Sequence, residues 1–214
     1  MLFTNRKEAG SLLAEKLLPF KDEDVIIYAL PRGGVPVGAE ISKRLDAPLG
    51  LIITRKIGHP LNPEYAIGAL SENGRAFYDA NEVKHVKNEW LENTEASLRN
   101  EIKRRRLKYS GKSDSLIAGE GKTAIIVDDG IATGYTMKAA IDDVQKHHPA
   151  KIIVAIPVVP ESMAQELEKS VDEVVAIERT RHYQGSVGSY YSDFSQVSDK
   201  EVTDLMSNVK QHTI

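Results

Sequence analysis

Two rhythms of apolar spacing run along this chain. Residues 124–127 are an unbroken apolar run, the pattern of a strand buried on both faces. Residues 25–30, 49–53, 152–156 and 174–177 repeat that pattern. Between them the spacing turns helical. Ala9, Leu12, Leu13 and Leu17 form one stripe, opened by a capping-box-like Asn5 and Glu8 and stopped near Pro19. Val37, Ile41 and Leu45 mark a second helix. Met137, Ala140, Ile141 and Val144 mark another from Gly134, and Met163 with Leu167 one more. A last amphipathic helix is expected near 201–206. Residues 65–78 read as a hairpin with Asn73-Gly74 at its turn. A long helix is expected from Asp79, with Val83, Val86, Trp90, Leu98 and Ile102 on one stripe. The stretch 110–121, SGKSDSLIAGEG, reads as a flexible connector. Strands alternating with helices predict an α/β fold with right-handed βαβ units and a parallel sheet.

Composition narrows the class. A chain of 214 residues is expected to form a single domain over 1–214, burying roughly 70% of its extended surface. Cysteine is absent, which excludes disulfides, thiol nucleophiles and cysteine-zinc sites. No apolar run reaches membrane-spanning length, and MLFTNRKEAG is not a signal peptide, so a cytoplasmic protein with no membrane partner is expected. The net charge of −3 argues against nucleic acid as the main partner.

The candidate chemistry is concentrated at residues 124–136, AIIVDDGIATGYT. Here a buried strand runs into Asp128 and Asp129, then a glycine-containing loop, then a helix start. In open α/β sheets ligands bind at this end of the strands. Backbone N–H groups of Thr133, Gly134, Tyr135 and Thr136 would point at an anion, and the Thr133 and Thr136 hydroxyls can add donors. The two carboxylates suit the hydroxyls of a sugar. One end of the loop wants a phosphate and the other a diol, which a ribose 5-phosphate satisfies.

This segment resembles the phosphoribosyl-pyrophosphate (PRPP) signature of type I phosphoribosyltransferases. By that resemblance Asp128 and Asp129 would hold the ribose 2′- and 3′-hydroxyls, and Ala132, Thr133, Gly134, Tyr135 and Thr136 would cradle the 5-phosphate. Mg2+ would be held mainly through PRPP, near the two aspartates. Gly130 stands where the family usually has an apolar residue, and is expected to loosen the loop. Ala132 fills the slot where the family often has an acidic general acid or base, so the loop names no proton-transfer residue. Adenine enzymes also carry Ala there. The implied fold is a central parallel twisted sheet flanked by helices, with a β-hairpin or flexible loop, a helical insertion at 80–110 and a small C-terminal hood at 180–214.

Three further segments gain meaning beside the signature. ALPRGGVPVG, residues 29–38, repeats the strand, glycine loop and helix start. Alone it could be a plain turn with Arg32 as a surface charge. By resemblance Arg32, Gly33 and Gly34 bind pyrophosphate, the arginine fork matching phosphate oxygens. TRKIGHPLNPEYAIG, residues 54–68, falls where type I enzymes have a flexible loop that closes over the site. Arg55 and Lys56 would steady the leaving pyrophosphate, and Glu64 would meet the incoming base; otherwise all three are solvated charges. HYQGSVGSYYSDF, residues 182–194, resembles the base-binding end of purine phosphoribosyltransferases. It makes Tyr183, Val187 and Asp193 base-binding candidates, although Tyr183 lies further ahead of Val187-Gly188 than in the hypoxanthine-guanine enzymes and one extra residue precedes Asp193. A tyrosine-rich packing segment is the alternative.

Other patterns carry less. GEGKT at 119–123 ends like a nucleotide P-loop, but position 116 is Leu116 rather than glycine, and a strand follows where a helix should. The basic run from Lys103 to Arg106 lies on a helix with Glu101–Arg105 and Glu95–Arg99 at i,i+4, the pattern of a solvated face. His147-His148 has no partner cluster for a metal. The long helix would pack as a lid or build a homodimer interface. The resemblance implies an enzyme that transfers 5-phosphoribosyl from PRPP to a base-like, purine-favoured acceptor. The alternatives are a non-catalytic PRPP or nucleotide sensor and, on the long helix alone, an assembly protein.

Overall fold

The computed structural model describes residues 2–110 and 119–210. In chain order the elements are α1 (Arg6–Lys16), β1 (Val25–Ala29), α2 (Gly34–Leu45), β2 (Leu49–Leu51), β3 (Arg55–His59), β4 (Asn62–Leu70) and β5 (Ala76–Tyr78). They continue as α3 (Asn88–Ser110), β6 (Thr123–Val127), α4 (Tyr135–Gln145), β7 (Lys151–Pro160), α5 (Glu161–Leu167), β8 (Glu173–Thr180) and α6 (Asp199–Lys210). Five strands form a parallel sheet in the order β2-β1-β6-β7-β8, and β3-β4-β5 form a separate antiparallel sheet.

The continuous apolar runs are strands because both faces of the main sheet are covered. Ile27, Ala29, Ile125 and Val127 pack with the apolar residues of α1, α2 and α6. Their neighbours Ile26, Tyr28, Ala124 and Ile126 pack with α4 and α5, including Met137, Ala140, Ile141, Val144 and Leu167. Each fully buried aliphatic side chain of this kind contributes about 1.5–3 kcal/mol. The start of α1 is capped by Asn5, whose side chain accepts from Glu8 N–H at 3.0 Å. Glu8 reaches back to the N–H of Thr4 rather than of Asn5. Leu12, expected on the buried stripe, is 38% exposed.

Three expectations need correction. Residues 55–59 carry only Ile57 as a buried apolar residue and look like a loop, yet they pair along β4, so the expected hairpin is a three-stranded sheet whose first turn lies at Pro60-Leu61. The long helix begins at Asn88, not near Asp79. The Asp79 carboxylate accepts from the N–H groups of Asn81 and Glu82, which closes one 3-10 turn at 83–85 that ends in extended backbone at Val86. Val83 and Val86 therefore lie outside α3, whose buried residues include Leu91, Ile102 and Tyr109. Most of the connector at 110–121, with Leu116, lies outside the described residues; the strand expected at 124–127 follows as β6, opening one residue earlier at Thr123.

The third correction concerns Arg106, expected on a solvated face and found 2% exposed. Its Nε donates to Glu72 Oε1 at 2.6 Å and a terminal nitrogen to the Leu51 carbonyl at 2.8 Å. Glu72 sits in the turn between β4 and β5 and also accepts from Ile53 N–H at 3.2 Å. The N–H groups of Glu72 and Asn73 donate to buried Asp143 on α4, at 2.8 and 3.1 Å. Burial pushes the Asp143 carboxyl up to about 6, against the pull of those two donors. This chain of polar contacts fastens the small sheet to α3, to the end of β2 and to α4. Glu72→Ala removes a carboxylate partner from the buried Arg106 guanidinium, and is expected to lower stability by about 3–5 kcal/mol. Urea unfolding followed by circular dichroism checks this.

Candidate active site

In the main sheet β1 has β2 on one side and β6 on the other, so the chain order reverses between β1 and β6. The loops leaving their carboxyl ends meet at that reversal, the usual ligand position in such sheets. The loop after β1 holds Arg32, Gly33 and Gly34; the loop after β6 holds Asp128 to Gly134. They touch. A Cβ on Gly33 would lie 2.0 Å from Asp129 Oδ2, so only glycine lets the backbone come this close. The Pro31–Arg32 peptide is cis. Gly34 N–H donates to the Leu30 carbonyl at 3.0 Å and begins α2, while the N–H groups of Arg32 and Gly33 find no acceptor among the described residues.

The loop after β6 is anchored by Ile131, whose N–H donates to the Val158 carbonyl at 2.9 Å. Beyond it the backbone N–H groups from Ala132 through Met137 have no acceptor among the described residues, until Lys138 N–H bonds the Gly134 carbonyl at 2.9 Å. No side chain caps the start of α4, and Gly134 stands there in the left-handed conformation with φ of 76°. Ala132 and Thr133 are exposed. A run of free N–H groups at an uncapped helix start is an anion cradle, reinforced by the partial positive charge of the helix end.

Upstream, Asp129 N–H donates to Asp128 Oδ1 at 2.8 Å. Burial, then the neighbouring Asp129 charge, pushes the Asp128 carboxyl well above the usual carboxylate range. Burial also raises Asp129, opposed by Arg6. The Arg6 Nε donates to Asp129 Oδ2 at 2.7 Å, with Arg6 11% and Asp129 14% exposed. Arg6 also lies over the Phe194 ring at 3.8 Å and donates to the Ser195 carbonyl at 2.8 Å. Tyr191 OH donates to the Asp129 carbonyl at 2.6 Å. Sequence reasoning missed Arg6 and Tyr191. Arg6 opens a helix that reads as an ordinary amphipathic start, and its partner lies 123 positions away.

The four charged residues assigned to the leaving group and the incoming base are each held by another part of the chain. Arg32 stands 3.6 Å from Asp199, the first residue of α6. Arg55 pairs with Glu101 of α3 at 3.2 Å. Lys56 pairs with Glu64 at 3.3 Å across the β3–β4 hairpin, where the Glu64 side chain is 94% exposed. No hydrogen bond or ion pair among the described residues joins Arg55, Lys56 or Glu64 to the aspartate pair. Among the described residues, no group of three or more His, Cys, Asp or Glu could by itself hold a metal, and no helix is long and apolar enough to cross a membrane.

A model of the phosphoribosyl transferase domain matches residues 3–194. The chain belongs to this family. A Mycobacterium tuberculosis protein, named only provisionally as a phosphoribosyl transferase and found in two strains, is 37% identical over 203 residues. That match covers 94% of this chain and 45% of the relative, so the chain spans about half the length of the curated relatives it matches. The crystal structure of a Thermus thermophilus protein is 35% identical with a TM-score of 0.78, covering 97% of this chain and 99% of that one. An Aquifex aeolicus protein, 15% identical with a TM-score of 0.53 over 94% of this chain and 84% of that one, shares the fold. The parallel five-stranded sheet with its flanking helices is the type I phosphoribosyltransferase fold.

In this phosphoribosyltransferase fold the tail folds back onto the β6 loop. Gly130 is buried, and a Cβ there would lie 2.6 Å from Val187 and 2.9 Å from Val158. The glycine that was expected to loosen the loop instead makes room for the tail. Tyr183 stacks on Tyr190 with ring centroids 5.6 Å apart, so one of its faces is already covered. Its hydroxyl is buried with no hydrogen-bond partner, and burial pushes it up to about 12. Asp193 accepts from Ser195 N–H at 3.0 Å and, beside Arg6, lines a cavity of about 210 Å³. Gly33→Ala would force the Asp129 carboxylate away from the β1 loop, and is expected to lower stability by about 1–3 kcal/mol. Chemical denaturation checks the loss, and a crystal structure of the variant would show the carboxylate displaced.

Proposed function

We propose that this chain is a Mg2+-dependent phosphoribosyltransferase that moves the 5-phosphoribosyl group of PRPP onto a nitrogenous, purine-like base and releases pyrophosphate. The reading takes residues 80–110 as an insertion into one catalytic unit and 180–214 as its hood. The observation that carries it is the run of unpaired N–H groups from Ala132 to Met137 beside two carboxylates at the sheet's reversal point. A phosphate satisfies the first and a ribose diol the second. The family supports the transfer chemistry. The purine preference rests on the Tyr183, Val187 and Asp193 segment and on Ala132 in the acidic slot.

Asp128 and Asp129 accept hydrogen bonds from the ribose hydroxyls. An Asp129 carboxylate bound to Arg6 through Oδ2 still has Oδ1 to offer. The 5-phosphate occupies the cradle at Ala132, Thr133, Gly134, Tyr135 and Thr136. The N–H groups of Arg32 and Gly33 meet the diphosphate at the backbone of the β1 loop, with Gly34 opening the helix behind them. The bond between ribose C1 and the diphosphate oxygen breaks, its electron pair leaves on the diphosphate, and a ring nitrogen of the acceptor bonds to C1. Arg32, Arg55 and Lys56 offset the charge that develops on the leaving group. The acceptor nitrogen then loses its proton.

Mg2+ takes oxygen ligands and keeps several waters, relying on one or two carboxylates plus substrate phosphates. The two aspartates, with no larger ligand cluster among the described residues, fit that mode and not a dedicated protein cage. Asp128 and Asp129 would hold the ion together with PRPP, and it would supply neutralising charge to the diphosphate.

The test is incubation of the chain with Mg-PRPP and a panel of purines, pyrimidines and small amines, measuring pyrophosphate release and the masses of new nucleotides. Release with a purine nucleotide product is expected. Asp129→Asn should lower kcat/KM about a hundredfold, because hydrogen bonds to sugar hydroxyls strengthen in an oxocarbenium-like transition state. PRPP binding without turnover of any acceptor would favour the sensor reading, and absence of binding would sink both.

A further inference from the structure

Lys103 and Arg104 of the basic run on α3 are exposed, as its spacing suggests, but Arg105 and Arg106 turn inward. The Arg105 side chain is only 14% exposed, and it shares one carboxylate with Arg55. Glu101 Oε1 binds Arg105 at 2.9 Å, and Glu101 Oε2 binds Arg55 at 3.2 Å. Burial, and after it the charge of Arg105, lowers the Arg55 guanidinium, so two like charges are crowded around a single anion. Arg55 Nε is buried and has no hydrogen-bond partner. An unmet charged donor of this kind is costly unless something else satisfies it.

One helical turn further on, buried Tyr109 donates to Asp199 at 2.6 Å, and the same carboxylate takes Lys108 at 2.6 Å and Arg32 at 3.6 Å. Asp199 is held at about 2 by the Lys108 and Tyr109 bonds, so it is fully charged. Arg105 and Tyr109 lie four residues apart on α3 and so share one face of the helix, which makes the two groups neighbours. The cluster therefore holds Arg32, Arg55, Arg105 and Lys108 against Glu101 and Asp199. Its positive surplus borders the free N–H groups of Arg32 and Gly33. A packed surplus of one sign is a poor structural device and a good anion receptor.

We propose that the inserted helix completes a diphosphate subsite, in which Arg105 joins Arg55 and Arg32 as a ligand-binding residue while Glu101 and Asp199 hold the cations until the diphosphate takes their place. The subsite rests on the phosphoribosyltransferase reading and adds to it a residue from outside the loops that resemble the family. The diphosphate arrives as part of PRPP or departs as free pyrophosphate. Ribose 5-phosphate lacks it and should not touch Arg105.

Calorimetric titration of the full chain in Mg2+ with inorganic pyrophosphate, PRPP and ribose 5-phosphate tests this. Arg105→Gln should weaken pyrophosphate and PRPP about tenfold, the loss of a charge-assisted hydrogen bond, and leave ribose 5-phosphate unchanged. Glu101→Gln should act in the opposite direction and tighten pyrophosphate, because a competing anion is removed. If both variants weaken pyrophosphate and both lower the melting temperature, the Arg55–Glu101–Arg105 bridge is only structural and the subsite is overturned. Unchanged pyrophosphate affinity in both variants overturns it too, and leaves the transferase reading standing as long as PRPP and ribose 5-phosphate still bind. Should Arg105→Gln fail to fold, the sign of the Glu101→Gln effect decides alone. A wild-type chain that binds none of the three ligands refutes the transferase reading and the subsite together.

Discussion

The close approach of Gly33 to Asp129 is the constraint on which the site depends. It exists because β1 and β6 are neighbours and because the chain turns in opposite directions after each. With no side chain on Gly33, the carboxylate lies directly against the backbone of the other loop. Buried carboxylates and free N–H donors are thereby brought side by side. Arg6 then closes the arrangement from α1, and Tyr191 from the tail, each bonded to a different part of Asp129. One aspartate thus gathers β6, the β1 loop, the first helix and the tail.

A second set of contacts fixes where the small sheet stands. Arg106, Glu72 and Asp143 are buried or nearly so, and each satisfies a group on a different element. Tyr135 OH adds a bond to Asp79 at 2.8 Å, joining the first residue of α4 to the segment before α3. Tyr135 of the proposed phosphate cradle is thereby tied to the segment that leads into α3. Hydrophobic burial drives the main sheet together. These polar contacts help set the direction in which the antiparallel sheet and α3 leave it, because an alternative placement would separate buried Arg106 from Glu72.

The main sheet was legible in the sequence because its signal is local. Residues 124–127 must be a strand buried twice over, and Met137, Ala140, Ile141 and Val144 must line one helical face, wherever the rest of the chain lies. The candidate loops were legible for the same reason: glycines, acids and threonines sit at fixed offsets from those strands. What escaped depends on distant partners. Residues 55–59 become a strand only because β4 supplies the ladder. Arg106 can be buried because distant groups, among them Glu72 and the Leu51 carbonyl, meet it. Arg6 acquires a role only when folding brings Asp129 to it, and no spacing rule along α1 marks it out. Asp79 misled in a different way, since a carboxylate that can bond its own following N–H groups looks like a helix cap and here closes a single turn.

Gly130 and Val187 share one small space, and this couples two regions that the sequence separates by more than fifty residues. A molecule that shifts the 187–190 turn on binding must alter the packing over Gly130, and so the loop that begins at Asp128. Thermodynamic linkage makes the effect reciprocal: whatever free energy an occupant of the tail would lend to the β6 loop, an occupant of the loop would return to the tail in equal measure. Any order of addition to such a protein would then depend on this one van der Waals contact as much as on the two segments it connects.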